Sequence, residues 1–256
     1  MIINHNLPGM TSLSYLNKNS KSSSDSMEKL SSGLRINKAA DDAAGLTISQ
    51  KMQSQINGLD KAQSNAQDGI SLLQTAEGGL SETQSILQRM NELATQAAND
   101  TNVTIDRSAM TAELGTLASE IDHISQSTNF NGVNLLSTIS GQTALSFQIG
   151  STTNNYDSMA LSLGGIQMNA TSLSVISSTS STTGINVTSN SFATAAMSTI
   201  QAAIDTVSTS RSYIGALQNR LTHTINNLST EEQNLTTANS NITDVDMAKE
   251  MMNYSK

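Results

Sequence analysis

The fold is decided by residues 52–97, which read MQSQINGLDKAQSNAQDGISLLQTAEGGLSETQSILQRMNELATQA. Apolar residues recur here every seven positions, and others, such as Ile56 and Met90, lie three or four positions from this row. A seven-residue period corresponds to 3.5 residues per turn, which is typical of helices that supercoil against a partner. The row consists of Met52, Leu59, Ala66, Leu73, Leu80, Leu87 and Ala94.

The same period occurs independently near the other end of the chain, where it continues without a gap. One surface helix on a globular core would explain one such row, but two long rows are better explained by helices that pack on each other. We therefore predict a mainly α fold, in which both chain ends form a long antiparallel coiled-coil or helical-bundle rod. The second row consists of Ile200, Val207, Ile214, Leu221, Leu228, Leu235 and Ile242.

Composition limits both the core and the partners. Only 36% of the 256 residues are hydrophobic and 3% are aromatic, which favours thin helical packing over a wide globular core. The net charge of −8 and the lack of a long basic run argue against nucleic-acid binding. The absence of cysteine excludes disulfides and thiolate chemistry. The sequence shows no secretory signal peptide, and no stretch approaches the roughly 18 apolar residues of a membrane span, so we expect no membrane association.

Interruptions in the helical pattern predict where the elements begin and end. We expect a break at residues 31–45, a helix end near Asn99 and a returning helix over residues 105–127. Glycines inside the long helices, such as Gly78 and Gly79, suggest close helix approach. Alternating residues at 144–149 and 159–163 predict a small β-hairpin. Residues 171–191 are rich in Ser and Thr and are expected to form an exposed surface loop or small subdomain. The alternatives there are a bare polar loop and one that carries sugars on its hydroxyl groups.

No catalytic constellation emerges from the sequence. The three histidines are scattered and lack the spacing of metal ligands. Asp41 with Asp42, and Asp244 with Asp246, could be paired carboxylates, but helix ends or salt-bridge partners are the better interpretation. We therefore expect no enzyme, no metal and no cofactor.

Specific strings resemble those of bacterial flagellins. Near the start these are LSSGLRIN at residues 30–37 and DDAAG at 41–45, and SNAQDGIS at 64–71 continues the match. Near the end they are GALQNRL at 215–221 and DMAKE at 246–250. Because the strings are long, in order and at both ends, the resemblance is specific, although it does not extend to the polar middle of the chain.

The resemblance implies a domain plan and a function. It implies a structural subunit that polymerises into the extracellular flagellar filament after type III export, with itself, an export chaperone, the cap protein and hook–filament junction proteins as partners. The alternative is a hook–filament junction protein of flagellin-like type. The implied regions are an inner-domain helix (1–31), a connecting spoke (32–45), an N-terminal rod arm (46–129), an exposed β-containing region (130–191), a C-terminal rod arm (192–243) and a second spoke segment (244–256).

Two departures from the family pattern stand out. Asn241 occupies a position where the family usually has Arg, so a charge at this joint is missing. The family's C-terminal helix normally follows Lys256, and we expect the sequence to be shortened there. The N-terminal helix over residues 11–29 would then lack its partner, so this form is expected not to build stable filaments on its own.

The resemblance also implies recognition of the monomer by the flagellin-sensing Toll-like receptor. Three positions carry over by local motif: Arg89, Leu93 and Glu113. Arg89 and Leu93 are four residues apart and thus neighbours on one helix face, and Glu113 on the returning helix should reach the same level. The expected roles are a forked donor, an apolar anchor and an acceptor. The alternative is that Arg89 and Glu113 merely form a surface ion pair.

Overall fold

The computed structural model describes residues 6–137, 144–162, 167–175 and 185–256. Its contacts divide the chain into a terminal unit, Met1–Lys61 with Leu228–Lys256, and a central unit, Ala62–Asn227. The predicted mainly α fold with a small β-hairpin insertion is confirmed. The elements are α1 (Leu7–Ser32), α2 (Ala43–Ala97), α3 (Thr104–Ser127), β1 (Asn129–Phe130), β2 (Val133–Asn134), β3 (Ala144–Gln148), β4 (Ser158–Ser162), α4 (Asn190–Thr243) and α5 (Met247–Ser255).

Local capping groups determine both ends of α1. The helix begins at Leu7, before the predicted start near residue 11, because Pro8 is tolerated in a first turn, where its missing N–H has no partner to lose. The Asn6 side chain caps the helix by accepting from the Gly9 N–H at 3.1 Å. At the other end Gly33 adopts a left-handed conformation (φ 73°), and its N–H donates to the Lys29 carbonyl.

The connection between α1 and α2 is held by hydrogen bonds to the end of α4. It lies within the predicted break at 31–45. Arg35 N donates to the Thr243 carbonyl at 2.6 Å, and Val245 N donates to the Gly33 carbonyl at 3.0 Å. The side chain of Asp42 then caps α2 by accepting from the N–H groups of two residues in its first turn. The first two bonds hold the α1–α2 connection against the segment that follows α4.

The core of the central unit lies between α2, α3 and α4, with apolar residues from the intervening strands and loops added to it. Arg211 Nη1 donates to Gln84 Oε1 at 2.5 Å. One heptad further along α4, Gln218 Nε2 donates to Glu77 Oε2 at 3.2 Å. Because the residue numbers rise on α4 while they fall on α2, the two helices are antiparallel in this unit, as their heptad rows predict.

Two short hairpins follow α3. β1 and β2 pair across Asn131 and Gly132, which both have positive φ (51° and 78°), the conformation that a tight two-residue hairpin turn demands. β3 and β4 pair antiparallel with Leu145 opposite Leu161. The latter pair is the β-hairpin that the alternating residues predict, shifted by one residue at its boundaries.

The expectation that residues 171–191 are not buried is wrong for three of their apolar members. Leu173, Val175 and Val187 are each at most 4% exposed and belong to the core of the central unit. The stretch contains few apolar residues, but each of these three is used as an anchor. Residues 176–184, the Ser- and Thr-rich middle of the predicted loop, lie outside the described residues.

α5 was not predicted from the sequence, because its nine residues are too few to establish a period. Asp246 caps it by accepting from the N–H groups of Ala248 and Lys249. The helix contacts α1, and the side chain of Ser26 on α1 lowers the pKa of the Glu250 carboxyl group. The expectation that α1 lacks any partner is therefore wrong for the part of α1 around Ser26.

Candidate functional site

Arg107 holds the turn that brings α3 back along α2. Its side chain is 14% exposed. Nε donates to the Ala97 carbonyl at 3.0 Å, and Nη2 donates to the Asn99 carbonyl at 3.2 Å. A cation beside the last carbonyls of a helix satisfies orphan acceptors and opposes the helix dipole favourably. The end of α2 is thus fixed, and α3 presents Glu113 to Arg89.

Arg89 joins two helices and binds two carboxylates. Its Nη2 and Nε both donate to Glu113 Oε1, at 3.0 and 3.3 Å, while Nη1 donates to Glu92 Oε2 at 3.2 Å. Hydrogen bonds to Glu113 first, and then to Glu92, raise the pKa of the Arg89 guanidinium above its ordinary value. The side chains of Arg89 and Glu113 stay 52% and 44% exposed. The expected proximity of Arg89 and Glu113 is confirmed, whereas their binding of a receptor stays a prediction.

Leu93 is not on the exposed surface. It is 3% exposed and belongs to the hydrophobic core. Residues four apart on a helix differ by about 40° around the axis. The edge of the core lies between the directions of Arg89 and Leu93. The long side chain of Arg89 extends past this boundary into solvent, while the shorter Leu93 packs inward. The prediction that Leu93 offers an exposed apolar anchor is wrong.

Glu92 also binds Arg89, but it was not predicted from the sequence. It lies three residues after Arg89, a spacing that places opposite charges side by side on a helix. That spacing was available in the sequence and could have identified the residue. The cluster therefore consists of Arg89, Glu92 and Glu113.

The predicted rod-packing residues differ in how deeply they are buried. Met52 and Leu235 are only half-buried. The others are at most 5% exposed: Leu59, Leu73, Leu80, Leu87, Ile214, Leu221 and Leu228. Such burial is what a packing role requires, but the assignment of each residue to one shared seam stays a prediction.

The paired acidic residues act at helix ends and turns. Asp42 and Asp246 each cap a helix, as the preferred interpretation of the sequence has it. Asp41 accepts from the N–H groups of Lys38 and Asn37, and these bonds lower the pKa of its carboxyl group. Within the described ranges, no group of three or more His, Cys, Asp or Glu side chains is placed to hold a metal ion. Among the helices described here, none is both long and apolar enough to cross a bilayer.

Comparison with protein families identifies both ends of the chain. A model of the bacterial flagellin N-terminal helical region matches residues 3–141, and a model of the C-terminal helical region matches residues 197–256. The chain belongs to the bacterial flagellin family. As a flagellin it is a helical structural protein of the flagellar filament.

Individual flagellins resemble this chain over all or most of its length. The flagellin of Halalkalibacterium halodurans is 46% identical over 256 residues, which cover 100% of this chain and 90% of that protein. The flagellar filament 33 kDa core protein of Treponema phagedenis is 40% identical over 264 residues, covering 100% and 91%. The crystal structure of Bacillus cereus flagellin is similar at 31% identity and a TM-score of 0.54, covering 69% of this chain and 94% of that one.

Proposed function

We propose that this flagellin is exported through the flagellar type III system and polymerises outside the cell as the repeating subunit of the filament. The proposal rests on the family match at both chain ends and on the full-length identity to named flagellins and a filament core protein. Exposed leucines of α1, such as Leu13 and Leu16, favour association with further copies. An export chaperone, the cap protein and hook–filament junction proteins are the other expected partners.

The domain plan is part of this proposal. Residues 46–129 and 192–243 would form the outer arms of the subunit, and residues 1–31 would belong to the inner domain. The hydrogen bonds between the α1–α2 connection and the end of α4 support the assignment of residues 32–45 and 244–256 to two paired connecting segments.

Immunogold electron microscopy of the source bacterium tests the proposal and its alternative together. An antibody against the chain should label filaments along their whole length, and deletion of the gene should remove that labelling. Label confined to the short zone between hook and filament would instead establish a hook–filament junction protein. Filaments that carry no label, in cells that produce the chain, would overturn both.

We also propose that the free subunit is recognised by the flagellin-sensing Toll-like receptor through Arg89 and Glu113. Both side chains are exposed and held in place by the hydrogen bonds between them. Arginine is frequent among the residues that dominate protein interfaces, because its planar fork can serve several acceptors. In this proposal Leu93 supports α2 from within the core and does not touch the receptor.

A receptor reporter assay with purified monomer tests this second proposal. Arg89→Ala and Glu113→Ala should each raise the half-maximal concentration about tenfold or more. Lys51→Ala, which removes an exposed cation from the same helix, should leave it unchanged. Full signalling by both cluster variants would remove the residue assignment, and silence of the unmutated monomer would remove the recognition itself. The resemblance further predicts that monomer signals more strongly than polymer.

A further inference from the structure

Asparagine directly precedes glycine at two places in this chain. Residues 56–59 read INGL and residues 130–133 read FNGV, so each pair lies between two apolar residues. Asn57 and Asn131 are both exposed, but Asn57 lies within α2, whereas Asn131 lies in the turn between β1 and β2. The two sites therefore match in local sequence and differ in backbone conformation.

The glycine matters because its backbone nitrogen can attack the asparagine side chain. Glycine hinders this attack least, since it has no Cβ, but the nitrogen must be free to approach the side-chain carbonyl carbon. In a helix interior the N–H group instead donates to the carbonyl four residues before it. Gly58 is in such a position, because α2 runs from Ala43 to Ala97. Reaction at Asn57 thus requires local opening of the helix.

Gly132 lies in a turn and lacks this protection. Phe130 pairs with Val133 across the turn, so the N–H group of Gly132 lies outside the ladder of β1 and β2. A Cβ at Gly132 would meet no more distant atom of the described residues within 4 Å. Asn131 holds a left-handed conformation (φ 51°), which is costly for a residue that has a side chain. The side chain of Asn131 and the nitrogen of Gly132 are thus both open to water.

We propose that Asn131 is a deamidation site, at which formation of an isoaspartyl linkage opens the β1–β2 hairpin. Hydroxide removes the proton from Gly132 N, and the nitrogen attacks Asn131 Cγ. The new C–N bond closes a succinimide ring, the bond from Cγ to Nδ2 breaks, and Nδ2 takes a proton from water and leaves as ammonia. Water then hydrolyses the ring. Cleavage between Gly132 N and the main-chain carbonyl carbon gives isoaspartate, and cleavage between Gly132 N and Cγ gives aspartate.

Isoaspartate changes the turn because the main chain then runs through Cβ and Cγ and is longer by one atom. A two-residue hairpin turn accepts few backbone geometries, so the longer link does not fit the pairing of Phe130 with Val133. Both of these side chains pack against the core of the central unit. Beside the hairpin, Leu135 N donates to the Thr128 carbonyl at 3.2 Å, and Leu135 is 1% exposed. Opening of the turn should therefore loosen this part of the core.

Peptide mass spectrometry of the full chain during incubation in mildly alkaline buffer tests the site, with isoaspartate detected by labelling with an isoaspartyl methyltransferase. Asn131 should react at least about tenfold faster than Asn57 in the folded chain, because reaction at Asn57 first requires opening of α2. In urea that unfolds the chain, the two rates should agree within about threefold. Equal rates in the folded chain, or no isoaspartate at Asn131, would overturn the site. An equally large difference in urea would overturn the role of the turn.

Hydrogen exchange of the isoaspartyl form, separated by chromatography, tests the opening of the hairpin. The amides of Val133 and Leu135 should exchange at least about threefold faster than in fresh protein. Asn131→Gly places a residue that accepts positive φ in the turn and has no side-chain amide to lose, so the same incubation should leave its exchange unchanged. Each protein is compared with its own fresh sample, so a variant that is looser from the outset remains informative.

A second variant separates the new charge from the longer backbone. Asn131→Asp carries the charge on a normal main chain, and Asp accepts the left-handed conformation better than most residues. Its exchange should stay within about twofold of that of the fresh unmutated chain. Exchange as fast as in the isoaspartyl form would contradict the role of the longer link. Unchanged exchange in the isoaspartyl form, or equal loosening of incubated Asn131→Gly, would overturn the opening of the hairpin.

Discussion

α1 and α3 are helices of nearly equal length with opposite surroundings. α1 has 26 residues and α3 has 24. The buried residue of α1 is Ser26, and Leu13 and Leu16 are 59% and 65% exposed. The buried residues of α3 recur at helical spacing: Met110, Leu114, Ala118, Ile121 and Ser125.

The difference shows that a packing partner, rather than the helix itself, decides where stability lies. Leucine is among the better helix formers wherever it occurs, but its burial contributes about 1.5–3 kcal/mol only when another element covers it. α3 lies against α2 and α4 in the core of the central unit. α1 has α5 as a neighbour around Ser26, and its earlier turns expose their apolar residues.

Truncation of one apolar residue in each helix should give the largest difference. Ile121→Ala in α3 removes a side chain that is 0% exposed and should lower the free energy of unfolding by about 2–5 kcal/mol. Leu13→Ala in α1 should change it by no more than about 0.5 kcal/mol. Urea denaturation of the full chain followed by circular dichroism measures both. Equal losses would mean that the two helices are equally packed.

Two neighbouring glycines in α2, both in the central unit, differ in how closely other residues approach them. A Cβ at Gly79 would lie 2.7 Å from Leu136 Cδ1 and 2.8 Å from Thr128 Oγ1, whereas a Cβ at Gly78 would meet open space. Gly79→Ala should therefore cost about 1–3 kcal/mol through overpacking, and Gly78→Ala should gain up to about 1 kcal/mol from helix propensity. Urea denaturation measures both changes. Stabilisation by both substitutions would show that Leu136 and Thr128 do not approach Gly79 closely.

Loss of a helix cap should affect the terminal unit alone. Asp246→Ala removes the acceptor for the first N–H groups of α5 and should destabilise that helix by about 1 kcal/mol. Hydrogen exchange should become faster in α5 but not in α3. The exposed Asp205 of α4 provides the control, since Asp205→Ala should leave α5 unchanged. Faster exchange in both α5 and α3 would contradict the expectation that loss of this cap affects α5 alone.

Acidification should produce the smallest effect. Hydrogen bonds from Ser26 first, and then from Asn253, lower the pKa of Glu250. A carboxylate with a lowered pKa in the folded state stabilises above its unfolded pKa of about 4.3 and loses that contribution as the pH falls through the folded value. α5 should therefore loosen below about pH 4, as measured by the chemical shifts of its amides. Glu250→Gln should remove this pH dependence, and an unchanged titration in that variant would assign it to another group.

The long helices could be predicted from the sequence because many apolar residues repeat at the same spacing. The rows from Met52 and from Ile200 continue over several heptads, so single exceptions do not hide them. α5 was missed because nine residues contain too few repeats, although the capping residue Asp246 is visible in hindsight. Burial was harder to predict than helix position. Leu93 and Val187 are buried in a core to which distant parts of the chain contribute, and a local sequence pattern does not show such packing.

The candidate site was predicted only in part for the same reason. The pairing of Arg89 with Glu113 followed from counting residues around a turn, which is a local argument. The turn itself depends on Arg107 and on Asn190, which donates to the Ala98 carbonyl from a position 92 residues away in the chain. Such contacts between distant residues could not be deduced from spacing.

Hydrogen exchange of the free, full chain tests most directly the claim that packing partners determine order in this flagellin. Residues 7–20 of α1 should exchange at least about a hundredfold faster than the amides of α3, because local opening requires less free energy where few apolar contacts are broken. Exchange in residues 7–20 as slow as in α3 would contradict the claim.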